Sequence, residues 1–307
     1  MSLLALFAAL LLEQWRPLSD RRELFAPMAR YAGFIEGQFN TGERRHGIIA
    51  WLAMMVPPVL CAWIIHALLL WANPLLALLF NAAALYLTMG FRQFSHYFTD
   101  IHLALKQDDL DRARAILAQW RGHSCAELNR EEVVRLTIEN ALLASHRHVF
   151  AVMFWFVVLP GPAGAVLYRL ASYLNTRWGQ SMAPDMLGFG AFSRQAFDAL
   201  DWLPARFTAI SFAVVGDFED AAYCWRTQAG EWADKAMGIV LASGAGAIGV
   251  RLGMPVFRDG VPLDRPELGI GDAADTGHMD STVGLVWRAL VLWILALLVL
   301  SLARAFS

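Results

Sequence analysis

The sequence predicts an all-α, polytopic integral membrane protein with about four to six membrane segments. Two of these segments either cross the membrane fully or form re-entrant helices. The strongest observation is the stretch from Gly47 to Phe91, which contains no Asp, Glu, Lys or Arg. A transmembrane helix needs about 20 apolar residues, so this stretch accommodates two spans. Asn73-Pro74 supplies the turn between them, because proline disfavours helical geometry in the residue before it. The composition agrees, with 57% hydrophobic and 17% charged residues.

Four further segments are apolar enough to enter a membrane: Ser2–Leu12, Val149–Ala171, Leu203–Gly216 and Val283–Ala303. The last has the length and composition of an ordinary span. Two of the others are poor crossings, since Val149–Ala171 is interrupted by Pro160-Gly161-Pro162 and the segment starting at Leu203 is short and carries Arg206. Irregular backbone at membrane depth is tolerated only inside protein or beside water, so both segments are candidates for re-entrant structure.

The distribution of basic residues predicts the orientation. If all six segments cross, residues 13–46, 92–148 and 217–282 carry 19 Lys and Arg, whereas the opposite loops carry three. Cytoplasmic loops are enriched in Lys and Arg. We therefore expect a multi-pass membrane protein with its large loops in the cytoplasm. Making both doubtful segments re-entrant changes no other segment's orientation.

We predict a single membrane domain over residues 1–307, with a cytoplasmic helical insertion at 92–148 and a cytoplasmic Gly-rich loop region at 217–282. Within the insertion, Asp108-Asp109 is suited to begin a helix that ends at Gly122. Asn129 followed by Glu132 is a capping-box pattern for a second helix, which can continue into the membrane segment at Val149.

The net charge and the spacing of the histidines and cysteines argue against several kinds of ligand and cross-link. The net charge of −2 offers no excess of one sign for a polyanion, so we expect no nucleic acid partner. The histidines form no metal-binding pattern, and no metal site is predicted. The three cysteines contain no CxxC pair and are expected to be free thiols.

The most distinctive string runs from Ser243 through Gly249, Arg251 and Gly253 to Pro255. Glycines let backbone N–H groups approach an anion, and an arginine adds a bidentate phosphate contact. The same small residues also allow close helix packing, and the sequence leaves both interpretations open. The string lacks the Lys-Ser/Thr of a Walker A motif and the strand of a dinucleotide fingerprint.

Two other sequence features, Arg206 and the Glu139-Asn140 pair, each have two interpretations. Arg206 lies inside an apolar segment, and a charge there needs a partner or a polar cavity. Asp198 and Asp201 are close enough in sequence to neutralise it, so structural pairing and ligand binding are equally plausible. The pair Glu139-Asn140 precedes the interrupted segment and belongs either to a binding site or to a solvated helix face.

These strings resemble the CobD/CbiB family of cobalamin biosynthesis, whose membrane enzymes attach aminopropanol or its phosphate to adenosylcobyric acid. The resemblance is carried by the stretch from Gly249-Val250-Arg251-Leu252-Gly253 through Arg265-Pro-Glu-Leu-Gly269, by Trp202-Leu-Pro-Ala-Arg206, by Phe189-Gly190 and by the Glu139-Asn140 pair. It implies substrate-binding roles for Glu139, Asn140, Asn175, Asp198, Arg206, Gly249, Arg251 and Gly253. A related AmpE-like branch, linked to β-lactamase induction, is similar at Leu11-Leu-Glu13-Gln and at Leu200-Asp-Trp-Leu-Pro204.

Several acidic positions of the ligases are replaced here. The chain has Ser172-Tyr-Leu-Asn175 where they have Asn-Thr-Leu-Asp, Phe197-Asp198 where they have two aspartates, and Ala141-Leu-Leu-Ala144 where they have a Thr-Ala-Asp-Gly-type string. Their His-Pro-Val is Ala26-Pro-Met28. An ATP-dependent ligase needs carboxylates to hold Mg²⁺, so the resemblance implies a degenerate site that binds an anion but forms amides poorly.

Two function hypotheses follow. The first is an ATP- and Mg²⁺-dependent amide-forming ligase of cobalamin biosynthesis, with a corrinoid or other small anion as its ligand. The second is a non-catalytic, AmpE-like sensor or accessory protein. We favour the re-entrant topology, because it would allow Glu139, Asn175, Asp198 and Arg251 to share the cytoplasmic side, where ATP is found.

Overall fold

The computed structural model describes residues 2–15, 21–258 and 261–306, which are predominantly helical. The helices are α1 (Ser2–Trp15), α2 (Arg21–Phe39), α3 (Arg44–Ala72), α4 (Pro74–Thr88), α5 (Phe91–Lys106), α6 (Leu110–Arg121), α7 (Arg130–Ser145), α8 (Ala151–Val158), α9 (Ala163–Leu174), α10 (Met186–Phe189), α11 (Ala191–Val215), α12 (Phe218–Thr227), α13 (Lys235–Ile248) and α14 (Thr276–Phe306). The predicted all-α class is confirmed.

Among the described helices, three are long and apolar enough to cross a membrane: Arg44–Ala72, Arg130–Val158 and Thr276–Ala303. The apolar windows of the first and third are each only 22% buried within the protein, so most of their apolar surface is available to lipid. The window of Arg130–Val158 is 61% buried, so this helix lies mainly among other parts of the protein. The helices Leu3–Trp15 and Pro74–Thr88 are apolar but shorter. The protein is therefore a membrane protein whose environment is the lipid bilayer.

The chain divides into two compact units, residues 1–90 with 151–203 and residues 91–150 with 204–307. In the first unit, the predicted turn at Asn73-Pro74 is confirmed. The Asn73 side chain accepts a hydrogen bond from Leu75 N at 2.8 Å, and Pro74 is the first residue of α4. Proline is well suited to that position, because its missing N–H would have no helical partner there.

The second unit contains the predicted helices of the 92–148 region. Asp109 caps α6 by accepting from Arg112 N at 3.0 Å, and Gly122 ends it with a φ of +73°. Asn129 and Glu132 form the predicted capping box of α7, each side chain accepting from the other's backbone N–H. All of these helix boundaries are confirmed.

The helix α7 does continue into the membrane segment, as predicted. A π-helical turn at His146–Phe150 joins it to α8, which makes one helix from Arg130 to Val158. The predicted segment Val149–Ala171 is therefore divided, with its first part completing this helix and its second part forming α9. The break falls at the predicted Pro-Gly-Pro, where Gly161 has a φ of +63°. The segment Leu203–Gly216, predicted as a short apolar stretch, is the C-terminal part of the 25-residue helix α11.

The described residues of the Gly-rich region include both helix and strand. Residues 243–248, expected to lie in a loop, instead complete α13, and the chain then forms two small antiparallel pairs of strands. The strand β1 (Leu252–Gly253) pairs with β4 (Glu267–Leu268), and β2 (Val256–Arg258) pairs with β3 (Val261–Leu263). We call residues 249–272 the Gly-rich loop.

Candidate functional site in the second unit

Glu139 fixes the Gly-rich loop to α7. Its Oε1 accepts from Gly253 N at 2.9 Å, and its Oε2 accepts from Arg265 Nη1 at 2.7 Å. Glu139 is 4% exposed, so the interpretation of this residue as part of a solvated helix face is wrong. A buried carboxylate is stable only when it is paired and hydrogen-bonded, and here the loop provides both partners.

Arg265 binds the loop backbone as well as the Glu139 carboxylate. Its Nη2 donates to Gly253 O at 2.9 Å and its Nε donates to Met254 O at 3.1 Å. The guanidinium carbon also lies 5.4 Å from the centre of the Trp232 ring, within cation–π range. The planar arrangement of five N–H donors explains why an arginine serves here, because a lysine could not make these contacts together.

The loop backbone requires glycine at this point. Gly253 has a φ of +76°, and a Cβ there would collide with the carbonyl oxygen of Pro266. Met254 follows with a φ of +62°, which is unfavourable for a residue with a side chain. The contacts of Glu139 and Arg265 on either side of this strained pair of residues hold the conformation in place.

The side chain of Arg251 is partly exposed on this loop. Its side chain is 43% exposed, and its Nη1 lies 3.8 Å from Glu267 Oε1. Its Nε is buried and has no hydrogen-bond partner in the described part of the chain. A weak, exposed ion pair leaves the guanidinium able to bind an anionic ligand.

The backbone N–H groups proposed as an anion cradle already have protein acceptors. Gly249 N donates to Gly246 O, Val250 N to Ala245 O, and Arg251 N to Asp272 O. Gly253 N likewise donates to Glu139 Oε1, so none of these four N–H groups is available to an anion.

The preceding glycines pack helices together. A Cβ at Gly244 would press on Leu142 of α7, and a Cβ at Gly246 would press on Asp220 O at the start of α12. These contacts confirm the helix-packing interpretation for residues 243–248. Gly249 ends α13 in the left-handed conformation, with a φ of +68° and open space around its Cβ position.

Asn140 lies in a different part of the second unit from the contacts of Glu139. It is half-buried and lines an open cleft of about 310 Å³ between the end of α6 and the π-helical turn after α7. Arg121, His123, Arg147 and His148 line the same cleft. The adjacent residues of the predicted Glu139-Asn140 pair therefore lie at two different places within the second unit.

Arg206 is half-buried on α11 and also belongs to the second unit. Asp201, proposed as its neutralising partner, accepts a hydrogen bond from the Tyr168 hydroxyl at 2.7 Å and is 2% exposed. Asp198 is exposed on the same helix, beside the buried Phe197. Both aspartates belong to the first unit.

Asn175, also in the first unit, begins a second π-helical turn, Asn175–Gly179. It is 4% exposed, and its Oδ1 has no hydrogen-bond partner in the described residues. Next to it in sequence, Arg177 Nε and Trp178 Nε1 both donate to Glu36 Oε2, at 2.9 and 3.0 Å. Burial acts to lower the pKa of Arg177, but the hydrogen bonds to Glu36 and Tyr173 outweigh it and raise the pKa.

Within the described residues, no three His, Cys, Asp or Glu side chains lie close enough to hold a metal ion. Mg²⁺ binding in nucleotide-dependent enzymes uses one or two carboxylates together with substrate phosphates.

Sequence reasoning missed Arg265, Trp232 and Gln228 as organising residues of the site. Gln228 accepts from Gly269 N at 2.6 Å and donates to Gly269 O at 3.2 Å, which fixes the far end of the loop. Arg265 lay within the family string, but nothing in its sequence surroundings indicates a carboxylate partner 126 residues away.

The chain is similar in sequence to proteins of a known family. The family model described as CobD/Cbib protein matches residues 6–286. The chain is similar to the cobalamin biosynthesis protein CobD of Stutzerimonas stutzeri, with 35% identity over 96% of each chain. It is 37% identical to the protein of the same name from Chromobacterium violaceum, over 81% of this chain and 78% of the relative. The cobalamin biosynthesis protein CbiB of Salmonella arizonae is 25% identical over 79% of this chain and 77% of that one.

No solved structure matches the chain. The relatives support the cobalamin hypothesis and give no support to the AmpE-like alternative. The family match extends across both compact units, from α1 into α14, and includes every candidate residue named above. This chain is a membrane protein of the CobD/CbiB family of cobalamin biosynthesis.

Proposed function

We propose that this protein catalyses the amide-forming step of cobalamin biosynthesis that joins aminopropanol, or its phosphate, to adenosylcobyric acid. The observation that carries the proposal is the family match over residues 6–286, together with a CobD relative at 35% identity over nearly the full length. The reaction forms a C–N bond between a primary amine and a carboxyl carbon and releases one carboxyl oxygen. A carboxylate must be activated before an amine can displace that oxygen, and ATP is the co-reactant that we propose for the activation. The oxygen would leave bonded to a phosphorus atom of the cleaved ATP, and the amine nitrogen would lose a proton as the C–N bond forms.

Within the second unit, we assign substrate binding to Arg251 and a positioning role to Glu139 and Arg265. The ion pair of Glu139 and Arg265 is buried and fixes the loop, whereas the Arg251 side chain is 43% exposed. A guanidinium presented by a rigid loop can bind the carboxylate or phosphate of a ligand in bidentate geometry. Gly249 and Gly253 give the loop its shape and have no direct contact with the ligand in this scheme.

The location that we propose is the bacterial inner membrane, with residues 92–148 and 217–282 in the cytoplasm. Support comes from the excess of Lys and Arg in these regions. A periplasm-active reporter fused after Ser307 should be active, and the same reporter fused within 92–148 should be inactive. The reverse pattern would overturn the orientation.

The activity is tested by complementation. A bacterial strain lacking its own CobD/CbiB ligase is supplied with cobyric acid and with this gene, and cobalamin-dependent growth is measured. We expect growth to be rescued, and Arg251→Ala to abolish the rescue at equal protein level. Glu267→Gln, which removes only the exposed partner of Arg251, is the matched control and should still rescue. Absence of rescue by the well-expressed wild-type protein would overturn the proposal.

A second candidate function is ligand binding without efficient catalysis, and Asn175 is the observation that favours it. This residue stands where the resembling ligases carry a carboxylate, and its Oδ1 is buried without a partner in the described residues. If the wild-type protein fails to rescue growth but binds cobyric acid, and Arg251→Ala removes that binding, the degenerate-site hypothesis is the correct one.

A further inference from the structure

We propose that the open cleft between α6 and the π-helical turn after α7 is a phosphate-binding site. The cleft has a volume of about 310 Å³, and five of its lining residues are polar or cationic: Arg121, His123, Asn140, Arg147 and His148. All lie in the second unit. The proposal does not depend on ligase activity and concerns residues other than those of the Gly-rich loop.

The charges lining the cleft favour an anion. Arg121 and Arg147 are permanently positive, and His123 and His148 contribute imidazole nitrogens that can donate hydrogen bonds. None of the lining residues, as far as the chain is described, is an Asp or Glu. Arg147 has an acidic neighbour in Asp234, whose Oδ2 lies 3.7 Å from Arg147 Nη2. Asp234 also accepts hydrogen bonds from Ala236 N and Met237 N, so its charge is shared with the start of α13.

Both walls of the cleft are built by secondary structure. Gly122 ends α6 in the left-handed conformation, so Arg121 and His123 lie on either side of a sharp change in chain direction. On the opposite wall, the π-helical turn contains Arg147 and His148. Single π-turns within α-helices are frequent at functional sites, because the extra residue redirects neighbouring side chains.

The connection between the two walls is also fixed. Arg114 of α6 donates from Nε to Leu128 O at 2.7 Å, immediately before the capping box of α7. A cationic cleft whose walls are held in place loses little conformational entropy when it binds an anion.

Phosphate fits this lining better than a simple carboxylate does. A phosphate group has three or more acceptor oxygens, which can be shared between two guanidinium groups, the imidazoles and the amide of Asn140. The remaining wall includes Trp120, whose ring stacks on Tyr97 with the centres 5.8 Å apart and the planes 8° apart. This flat apolar surface suits the organic part of a phosphate ester.

The phosphate can come from a soluble ester or ion, or from the headgroup of an anionic lipid, since basic pockets near membrane helices bind lipid headgroups.

The test uses the full-length protein, purified in a maltoside detergent and freed of phospholipid. Calorimetric titration with inorganic phosphate should detect binding by the wild type. Arg121→Gln and Arg147→Gln should each weaken it by at least about tenfold, equivalent to about 1.4 kcal/mol. Arg112→Gln removes an exposed arginine of the same helix α6 outside the cleft and should leave binding unchanged.

Native mass spectrometry of the protein before delipidation distinguishes the two sources. Bound phosphatidylglycerol that disappears in Arg121→Gln identifies a lipid headgroup, and phosphate titration without retained lipid identifies a soluble ligand. Either result supports the site, provided that Arg112→Gln behaves as the wild type.

The remaining outcomes either contradict the phosphate-binding site or bear only on the proposed amide-forming function. If Arg147→Gln loses folded yield because its contact with Asp234 is removed, Arg121→Gln and His148→Gln decide the matter. If neither phosphate nor lipid binds, or if the cleft variants bind as the wild type does, the proposal is wrong. Growth rescue is a separate measurement: its failure with phosphate binding intact would overturn only the proposed function.

Discussion

Arg265 and Glu139 form a bidentate ion pair that joins the Gly-rich loop to α7. Arg265 Nη1 and Nη2 donate to the two carboxylate oxygens of Glu139 at 2.7 and 3.3 Å, and the two side chains are 12% and 5% exposed. Because the pair is buried, each residue depends on the other to compensate for its lost hydration.

The first prediction concerns this pair. Glu139→Ala should destabilise the folded protein by about 3–5 kcal/mol, because it leaves the charge of Arg265 buried and removes the acceptor of Gly253 N. The expected results are a lower thermal unfolding temperature in detergent and faster proteolysis within residues 254–272. Glu139→Gln should be milder, since an amide oxygen can still accept from Gly253 N.

The control for this prediction is the neighbouring exposed pair. Glu267→Ala removes an ion pair with a separation of 3.8 Å and half-exposed partners, and should cost about 0–1 kcal/mol. Equal stability losses in Glu139→Ala and Glu267→Ala would show that the buried pair does not hold the loop.

The second prediction compares two glycines that have similar backbone angles. Gly249 and Gly253 have φ values of +68° and +76°, but only Gly253 has a neighbouring carbonyl oxygen, that of Pro266, in the path of a Cβ. Gly249→Ala should therefore cost about 1–2 kcal/mol for the left-handed conformation alone. Gly253→Ala should cost more and should also weaken growth rescue, because the loop must shift. Similar unfolding temperatures for the two variants would contradict this account.

The sequence predicted the parts of the fold that depend on local chemistry. The turn at Asn73-Pro74, the capping box at Asn129 and the left-handed end of α6 at Gly122 each depend on residues within a few positions of one another. Such signals can be read without knowing the tertiary structure. The absence of charged residues likewise identified α3 and α14, and the capping box at Asn129 placed the start of the helix that runs to Val158.

The contacts that build the site could not be predicted in this way. In the sequence alone, Glu139 is suited to a solvated helix face, because its partner Arg265 is distant in sequence and its other partner is a backbone N–H of Gly253. The glycines at 244 and 246 are equally suited to a loop and to helix packing, and only the neighbouring Leu142 and Asp220 distinguish the two. Tertiary packing decided these cases, which local propensity leaves open.

The third prediction is a pH dependence that arises at His102 in the second unit. Burial lowers the pKa of His102, while the nearby Asp280 acts to raise it and Lys106 to lower it. The unfolded chain therefore binds a proton at this residue at a higher pH than the folded protein does. Stability is fully present above the unfolded value of about 6.5 and falls as the pH drops below it.

The measurement is the unfolding temperature between pH values of about 7.5 and 5.5, which bracket the ordinary pKa of histidine. His102→Gln should reduce the loss of stability on acidification, because the proton-binding group is removed. Asp280→Asn should increase the loss, because it removes the charge that favours protonated His102 in the folded state. A pH dependence that is the same in all three proteins would exclude His102 as its source.

The fourth prediction concerns topology. A single cysteine introduced at the exposed Gln180 should be protected from a membrane-impermeant maleimide in intact cells and become reactive after permeabilisation, if α9 and the apolar part of α11 re-enter the bilayer. Rapid labelling in intact cells would instead support the six-span arrangement.

The last prediction tests whether Asn175 is the missing acid of a degenerate site. Asn175→Asp restores the carboxylate that the resembling ligases carry, with almost no change in side-chain volume. At 4% exposure, an added charge should lower the folded yield, because burial disfavours the ionised form. If a carboxylate here supports the chemistry, growth rescue per molecule of folded protein should nevertheless increase. Thr176→Asp provides the control, since it adds the same charge one residue away on an exposed side chain and should leave rescue unchanged. An Asn175→Asp protein that folds and rescues no better than the wild type would show that the loss of this carboxylate does not limit activity.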